Sequence, residues 1–195
     1  MAKRVFFCFD HQDVVDVRAR VVLDYWKMNS AGDSTGYFDP SVWVSTKKKG
    51  PDAVKQLIDK AIAGTTTTCV LIGSHTWERK WVRYEIMRSL KKGNLLVGVH
   101  INSIPDKDNK TKPLGQNPFE ELGFTISKTG ATVTLWEMLR AKWRKYEEID
   151  GGDSYRLTQA VDSSLQGEGF NLTNYSTTYD WVEDEGHKNF TLWVV

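Results

Sequence analysis

One carboxylate in this chain, Glu85, occupies a position where an α/β protein could place a ligand-contacting acid. It follows Trp81 by four residues, in a segment that begins directly after an apolar run at residues 69–72. Residues four apart share a helix face, and open α/β sheets bind ligands beyond the carboxyl ends of their strands. The spacing is therefore compatible with a substrate-contacting carboxylate. The alternative is an ordinary surface ion pair between Glu85 and Arg88, three residues later.

Composition excludes several classes of function. The 26 Lys and Arg residues nearly balance the 25 Asp and Glu residues, so no general positive field would attract nucleic acid. No apolar run reaches the roughly 18 to 20 residues that span a bilayer, and no signal peptide is evident at the start. We therefore expect a cytoplasmic protein that binds neither nucleic acid nor membrane. Cys8 and Cys69 lie in strand-like runs, which favours reduced buried thiols and predicts no metal site.

The first hundred residues alternate between strand and helix patterns. Short apolar runs predict strands at residues 5–9, 66–72 and 95–101. Helical spacing of apolar residues predicts helices at residues 13–28, from Pro51 to Gly64, and through Glu85 to Gly93. Residues 37–38 read as a short edge strand, and residues 39–50 as a polar loop over the cleft. This alternation predicts an α/β fold with a parallel sheet.

The last third of the chain has less regular patterns. Residues 124–127 and 132–136 either pair as a hairpin or add one strand, and residues 135–149 have helical propensity. Four of the eight tryptophans, Trp136, Trp143, Trp181 and Trp193, lie in this part. Because aromatic rings bury a large area, we expect this part to pack onto the body. We predict an α/β domain over residues 1–150 and a C-terminal extension over residues 151–195, packed on the same domain.

The segment around Glu85 resembles the S…W-C-x-x-E-L signature of TIR domains, with Val82 at the usual cysteine position. Ser74 and Trp77 precede its core, which is Trp81-Val82-Arg83-Tyr84-Glu85-Ile86. Among TIR proteins the chain is most similar to the TIR-like ThsB family of the bacterial Thoeris anti-phage system. The resemblance covers nearly the whole chain, and the further strings that carry it are Arg4-Val5-Phe6-Phe7-Cys8-Phe9, Thr68-Cys69-Val70-Leu71-Ile72-Gly73-Ser74, Gly98-Val99-His100-Ile101-Asn102, Asn117-Pro118-Phe119 and Tyr179-Asp180-Trp181-Val182.

The resemblance implies a flavodoxin-like sheet with strand order 2-1-3-4-5, flanked by helices, with a family-specific C-terminal elaboration. Asp10, His11, Ser74 and Glu85 would then converge on one crevice. Enzymatic TIR domains cleave the nicotinamide–ribose bond of NAD+, so the resemblance implies NAD+ as a substrate and no cofactor. Thoeris TIR proteins make a cyclic ADP-ribose-type signal or a related conjugate that activates the partner effector ThsA. A phage-derived trigger and self-assembly of TIR domains are also implied.

In this chemistry Glu85 is the candidate catalytic residue. Nicotinamide leaves as a neutral molecule, so the carboxylate would anchor the ribose hydroxyls and stabilise the oxocarbenium transition state. Phe6, Phe7, Trp43 and Trp81 are candidates for stacking on nicotinamide or adenine.

Each of these residues has a structural alternative. Trp81 could be a core wedge, and His11 could bind phosphate or cap a helix. The run Lys47-Lys48-Lys49 could contact the NAD+ pyrophosphate or could simply be solvated. For the whole protein, the alternative to an NAD+-consuming enzyme is a non-catalytic TIR interaction module.

Overall fold

The computed structural model describes residues 4–29, 40–149 and 152–194. They form two compact units, one built from the residues up to Gln116 together with those from Thr177 onward, the other from Asn117–Ser176. The expected division between residues 1–150 and 151–195 stays a prediction. None of the helices in the described ranges is long and apolar enough to cross a membrane.

Nine strands are present in the described parts of the chain. In chain order they are β1 Val5–Phe9, β2 Thr67–Ile72, β3 Leu95–His100, β4 Leu122–Ile126, β5 Thr132–Leu139, β6 Lys142–Lys145, β7 Ser154–Arg156, β8 Gly169–Asn171 and β9 Ser176–Asp180. The α-helices are α1 His11–Val15, α2 Arg18–Asn29, α3 Pro40–Lys47, α4 Pro51–Ala63, α5 Lys80–Lys92 and α6 Gly186–Trp193.

The first unit is built on a sheet with strand order β1-β2-β3-β9. Strands β1, β2 and β3 are parallel, and Val5 pairs with Thr67, which in turn pairs with Leu95. All six residues of β2 are buried, as expected for a central strand covered on both faces. These parallel strands confirm the predicted α/β fold with a parallel sheet. The predicted edge strand at residues 37–38 lies outside the described residues.

Helices α4 and α5 confirm the sequence prediction. Pro51 is the first residue of α4, where its missing N–H costs no intrahelical bond, and Gly64 follows the helix. Gly93 ends α5 in the left-handed conformation, with φ of 85°, which glycine adopts without steric strain. Helix α5 therefore lies in the connection between β2 and β3.

The predicted continuous helix at residues 13–28 is wrong, because the chain turns at Val17 between α1 and α2. Val17 has φ of 72°, a left-handed conformation that is rare for a β-branched residue. Directly after this turn, the buried Arg18 donates from Nε to the Ile104 carbonyl (2.9 Å) and from Nη2 to the Lys110 carbonyl (2.7 Å). The apolar periodicity continues across the break, so the pattern alone could not reveal it.

The predicted polar loop at residues 39–50 is also wrong over most of its length, since it contains α3. Proline is compatible with the first turn of a helix, as at the start of this one. Thr46 is buried, and the Trp43 ring packs edge-on against Trp81, with centroids 6.3 Å apart. Tertiary packing therefore supports a helix that its polar sequence did not indicate.

The core of the first unit is rich in aromatic rings. Phe190 of α6 packs against Phe7 of β1 (6.1 Å between centroids) and against Trp26 of α2 (5.7 Å). Phe7 and Trp26 also contact each other, at 6.3 Å. Helix α6 is thus part of the core that supports β1.

The second unit is an antiparallel sheet with strand order β6-β5-β4-β8, and β7 also pairs with β5. The hairpin of β4 and β5 confirms one of the two sequence alternatives. The helical propensity at residues 135–149 is overridden, because β5 and β6 continue there as a second hairpin. Arg140 and Ala141 both have positive φ, 51° and 59°, as a two-residue type I′ turn requires. Neither residue is Gly or Asn, so the turn carried no recognisable signal.

The strained turn at Val17 gives a stability test with an internal control. Val17→Gly removes the left-handed strain, and we expect it to raise the free energy of unfolding by about 1 kcal/mol. Val21→Gly places glycine inside α2, where it should lower that free energy by about 1 kcal/mol. The two valines are equally exposed, at 37%. Urea denaturation of both variants measures the effect, and destabilisation by both would contradict the assignment of strain to Val17.

Candidate active site

Glu85 is buried on α5, facing the end of β1. It is only 5% exposed, although it belongs to a helix whose first and last residues are lysines. The ion pair that sequence allowed with Arg88 is not formed, because Arg88 donates from Nε to Asp59 at 2.6 Å. The interpretation of Glu85 as a solvated surface residue is therefore wrong.

Burial changes the ionisation of this carboxyl group. Loss of hydration raises the pKa of Glu85 from 4.5 to about 8, opposed by a hydrogen bond from the Cys8 thiol, which lowers it. The Cys8 sulfur also lies 3.9 Å from the Val82 carbonyl oxygen, within reach of a weak hydrogen bond. Glu85 is therefore mainly protonated at neutral pH.

Two small adjoining cavities open onto Glu85. One is about 30 Å³ and the other about 90 Å³. Both are below the roughly 300–1,000 Å³ typical of small-molecule sites. The residues that line one or both are Phe7, Phe9, Asp10, His11, Trp43, Lys47, Arg79, Lys80, Trp81, Val82 and Glu85. The cavities are thus narrow, and several aromatic rings line them.

Most of the sequence candidates meet at these cavities. The candidates that line them with Glu85 are Phe7, Asp10, His11, Trp43 and Trp81. Trp81 is half-buried and its ring also packs against Tyr84, at 5.9 Å between centroids. It therefore combines the structural role with a position on the cavity wall.

Phe6 and Ser74 do not line either cavity. Phe6 is fully buried within β1. The Ser74 hydroxyl accepts a hydrogen bond from the Asn102 side chain at 3.1 Å. Asn102 also donates to the Pro113 carbonyl. Ser74 thus connects the end of β2 to the chain that follows β3.

Arg79 is a cavity residue that sequence reasoning did not single out. Its Nε and Nη2 atoms each lie 2.8 Å from Oδ2 of Asp10. Asp10 also caps α1, since its side chain accepts from the Gln12 N–H. Arg79 directly precedes α5 in the same segment as Glu85, which was the available signal. Phe9 and Cys8 were likewise missed, although both belong to the strand that ends at Asp10.

A second buried carboxyl group, on Asp13 of α1, supports the loop that leads to α5. The Thr76 hydroxyl lies 3.3 Å from Asp13 and accepts from the Gly73 N–H at 2.9 Å. A Cβ atom at position 73 would lie 2.2 Å from the Asp13 carboxylate oxygens, so only glycine fits there. Burial, followed by the nearby charge of Asp10, raises the pKa of Asp13 to about 6. These contacts connect α1 to the carboxyl end of β2.

Metal ligands are not clustered in the described part of the chain. No three His, Cys, Asp or Glu side chains come together there in a way that could hold a metal ion. The groups that line the two cavities are the carboxyl groups of Glu85 and Asp10, aromatic rings, an imidazole and three cations.

The raised pKa of Glu85 predicts a pH-dependent stability difference. Between about pH 4.5 and 8 the folded protein holds this proton more tightly than the unfolded chain. The free energy of unfolding should therefore fall as pH rises, by at most about 1.4 kcal/mol per pH unit from this group. Glu85→Gln removes the effect, so we expect the variant to gain stability relative to the wild type across this window. Denaturation from pH 5 to 9 measures it, and a constant difference would contradict the assignment.

The contact with Cys8 predicts a specific change in the ionisation of Glu85. A hydroxyl donates a stronger hydrogen bond than a thiol, so Cys8→Ser should lower the pKa of Glu85. Cys69→Ser changes another buried thiol, on the adjacent strand opposite Phe7, and should leave it nearly unchanged. Carboxyl ¹³C NMR with labelled glutamate measures both. Equal shifts in the two variants would indicate a general packing effect.

Comparison with known proteins identifies the family. The model of the family described as Thoeris protein ThsB, TIR-like domain, matches residues 6–106. The chain is also 43% identical over 194 residues to ThsB1 of Bacillus cereus (strain MSX-D12), and the alignment covers 100% of both chains. The name of that relative assigns it, provisionally, as a cyclic ADP-D-ribose synthase. The matched region spans β1 to the end of β3, with Glu85 inside it, and the chain therefore belongs to the ThsB family of Thoeris proteins with a TIR-like domain.

Proposed function

We propose that this protein is an NAD+-consuming enzyme of anti-phage defence. It cleaves the nicotinamide–ribose bond and converts the ADP-ribosyl group into a cyclic ADP-ribose-type signal or a related ADP-ribose conjugate. The observation that carries this proposal is the buried carboxyl group of Glu85 in an aromatic cavity at the end of β1. The cyclic ADP-D-ribose synthase named among its relatives supports the same activity.

Glu85 acts on the ribose that is losing its base. As the C1–N bond breaks, its electron pair leaves with nicotinamide, which departs neutral and needs no proton. Positive charge then develops on the ribosyl ring. A carboxylate that accepts hydrogen bonds from the ribose hydroxyls orients the sugar and stabilises this charge.

The substrate itself favours the ionised form of Glu85. The nicotinamide ring of NAD+ is cationic, and a positive charge near a carboxyl group lowers its pKa. Binding therefore opposes the effect of burial, which raises the pKa of Glu85 to about 8. In this mechanism the proton is released to solvent when the substrate enters, and the carboxylate forms where its charge is needed.

The aromatic walls control which nucleophile reaches C1. Phe9, Trp43 and Trp81 line the cavities with Glu85 and would exclude water around a bound substrate. With water excluded, the adenine end of the same molecule captures C1 and the product is cyclic. Water admitted to the site would give linear ADP-ribose instead.

The signal links this enzyme to a partner. We propose that the product diffuses to the effector ThsA, and that a phage component triggers synthesis in the cytoplasm, where NAD+ is available.

Loss of the carboxylate should abolish signal production. We expect Glu85→Gln to lower the cyclic ADP-ribose-type product by about 100-fold or more, since removal of one transition-state-stabilising group costs about that much. Mass spectrometry of metabolites from phage-challenged cells measures the product.

Glu78→Gln is the matched control for this experiment. Glu78 belongs to the same segment, but it is exposed and pairs with His75 outside the cavities. Product made equally by Glu85→Gln and wild type would overturn the proposal. Retained protection against phage with no NAD+-derived product in either would indicate the non-catalytic interaction module.

A further inference from the structure

Three cations surround the mouth of the cavity above Glu85. Lys47 is the last residue of α3, Arg79 precedes α5, and Lys80 is its first residue. All three line the same cavity as Glu85. The chain as a whole is nearly balanced in charge, so this cluster does not reflect a general excess of basic residues.

Each of these cations is held by a neighbouring side chain. The Lys47 Nζ atom lies 5.3 Å from the centre of the Trp43 ring, and Lys80 Nζ lies 5.7 Å from that of Trp81. Such cation–π contacts restrict the position of an ammonium group without neutralising it. Arg79 is held by Asp10, through two of its five N–H groups. The cations are therefore partly ordered around the opening.

Charge at this opening is suited to a dianion. Among the residues that line this cavity, Lys47, Arg79 and Lys80 are basic, and Asp10 and Glu85 are acidic. The backbone adds to this field, because α5 starts here without a side-chain cap hydrogen bond from its N-cap residue, Arg79. The amino end of a helix carries a partial positive charge that favours phosphate groups.

We propose that Lys47, Arg79 and Lys80 form a subsite for the pyrophosphate of NAD+. This inference rests on the proposed function and assigns an orientation to its substrate. The nicotinamide riboside end enters the cavity toward Glu85, and the two phosphates remain at the cationic opening. The adenosine end stays outside the narrow cavity.

The structure divides the lysine run that follows Trp43. Lys47 lines the cavity, whereas Lys48 and Lys49 are exposed and lie outside its lining. The same run therefore supplies both a subsite residue and two control positions with the same charge. A general electrostatic effect would involve all three lysines, while a subsite depends on Lys47 alone.

The test measures ligand binding in a Glu85→Gln background, which prevents turnover. Isothermal titration calorimetry gives the Kd for NAD+ and for nicotinamide riboside, which lacks the phosphates. We expect Lys47→Met, Arg79→Met and Lys80→Met each to weaken NAD+ binding by about threefold to tenfold, as for loss of one charged hydrogen bond on a partly exposed surface. Binding of nicotinamide riboside should be unchanged. Lys48→Met should alter neither.

Equal losses for both ligands would overturn the subsite, because the residues would then act on cavity shape. An equal effect of Lys48→Met would also overturn it, as would the absence of NAD+ binding. The proposed function is judged separately, by release of nicotinamide from protein with Glu85 intact. If NAD+ binding depends on Lys47, Arg79 and Lys80 but no nicotinamide is released, the subsite is supported and the proposed enzymatic activity is refuted. If nicotinamide is released but the three variants bind NAD+ as tightly as the parent protein, the enzymatic activity is supported and the subsite is refuted.

Discussion

Burial of the Glu85 carboxyl group is the constraint on which the rest of the site depends. A carboxylate in an apolar environment loses hydration, and this one compensates by keeping its proton up to about pH 8. The weak donation from Cys8 offsets only part of that cost. A cationic ligand would supply the missing stabilisation from outside the protein. The burial that keeps this group neutral would therefore favour a substrate with positive charge beside it.

The surroundings of Glu85 are held by contacts between consecutive β-α units. Asp13 of α1 accepts a hydrogen bond from the Thr76 hydroxyl. Gly73 lies close to the Asp13 carboxylate, so the end of β2 packs against α1. Asp10 reaches across to Arg79, one residue before α5. These contacts join the ends of β1 and β2 to the start of the helix that carries Glu85. The acid is consequently placed by polar contacts at the sheet edge as well as by the apolar face of its helix.

The buried carboxyl group and the basic side chains occupy different parts of the site. The carboxyl group lies deep, between aromatic rings, while Lys47, Arg79 and Lys80 lie at the opening. A dinucleotide with a cationic base at one end and two phosphates in its middle has a matching distribution. Arg79 is engaged by Asp10, and both lysines lie over tryptophan rings.

Local patterns predicted much of the first unit. Continuous apolar runs indicated β1, β2 and β3, and regular apolar spacing with Pro51 and Gly93 indicated α4 and α5. The same rules failed where long-range contacts override local preference. The turn at Val17, beside the buried Arg18, interrupts a segment with continuous helical periodicity. The contact of Trp43 with Trp81 stabilises α3 in a stretch that was predicted to be a polar loop. At residues 140–141 a tight turn formed without glycine or asparagine, which converted a helical propensity into a hairpin.

For the site, the sequence by itself determined that Glu85 follows a central strand on a helix, one turn after Trp81. Both features follow from the number of residues between the apolar run, Trp81 and Glu85. Only the tertiary structure decided that the carboxyl group is buried and paired with Cys8, that Arg88 turns to Asp59, and that Arg79 meets Asp10. It also separated Lys47 from its two neighbours. Ionisation and charge pairing depend on atoms brought together from distant parts of the chain, and no local pattern encodes those distances.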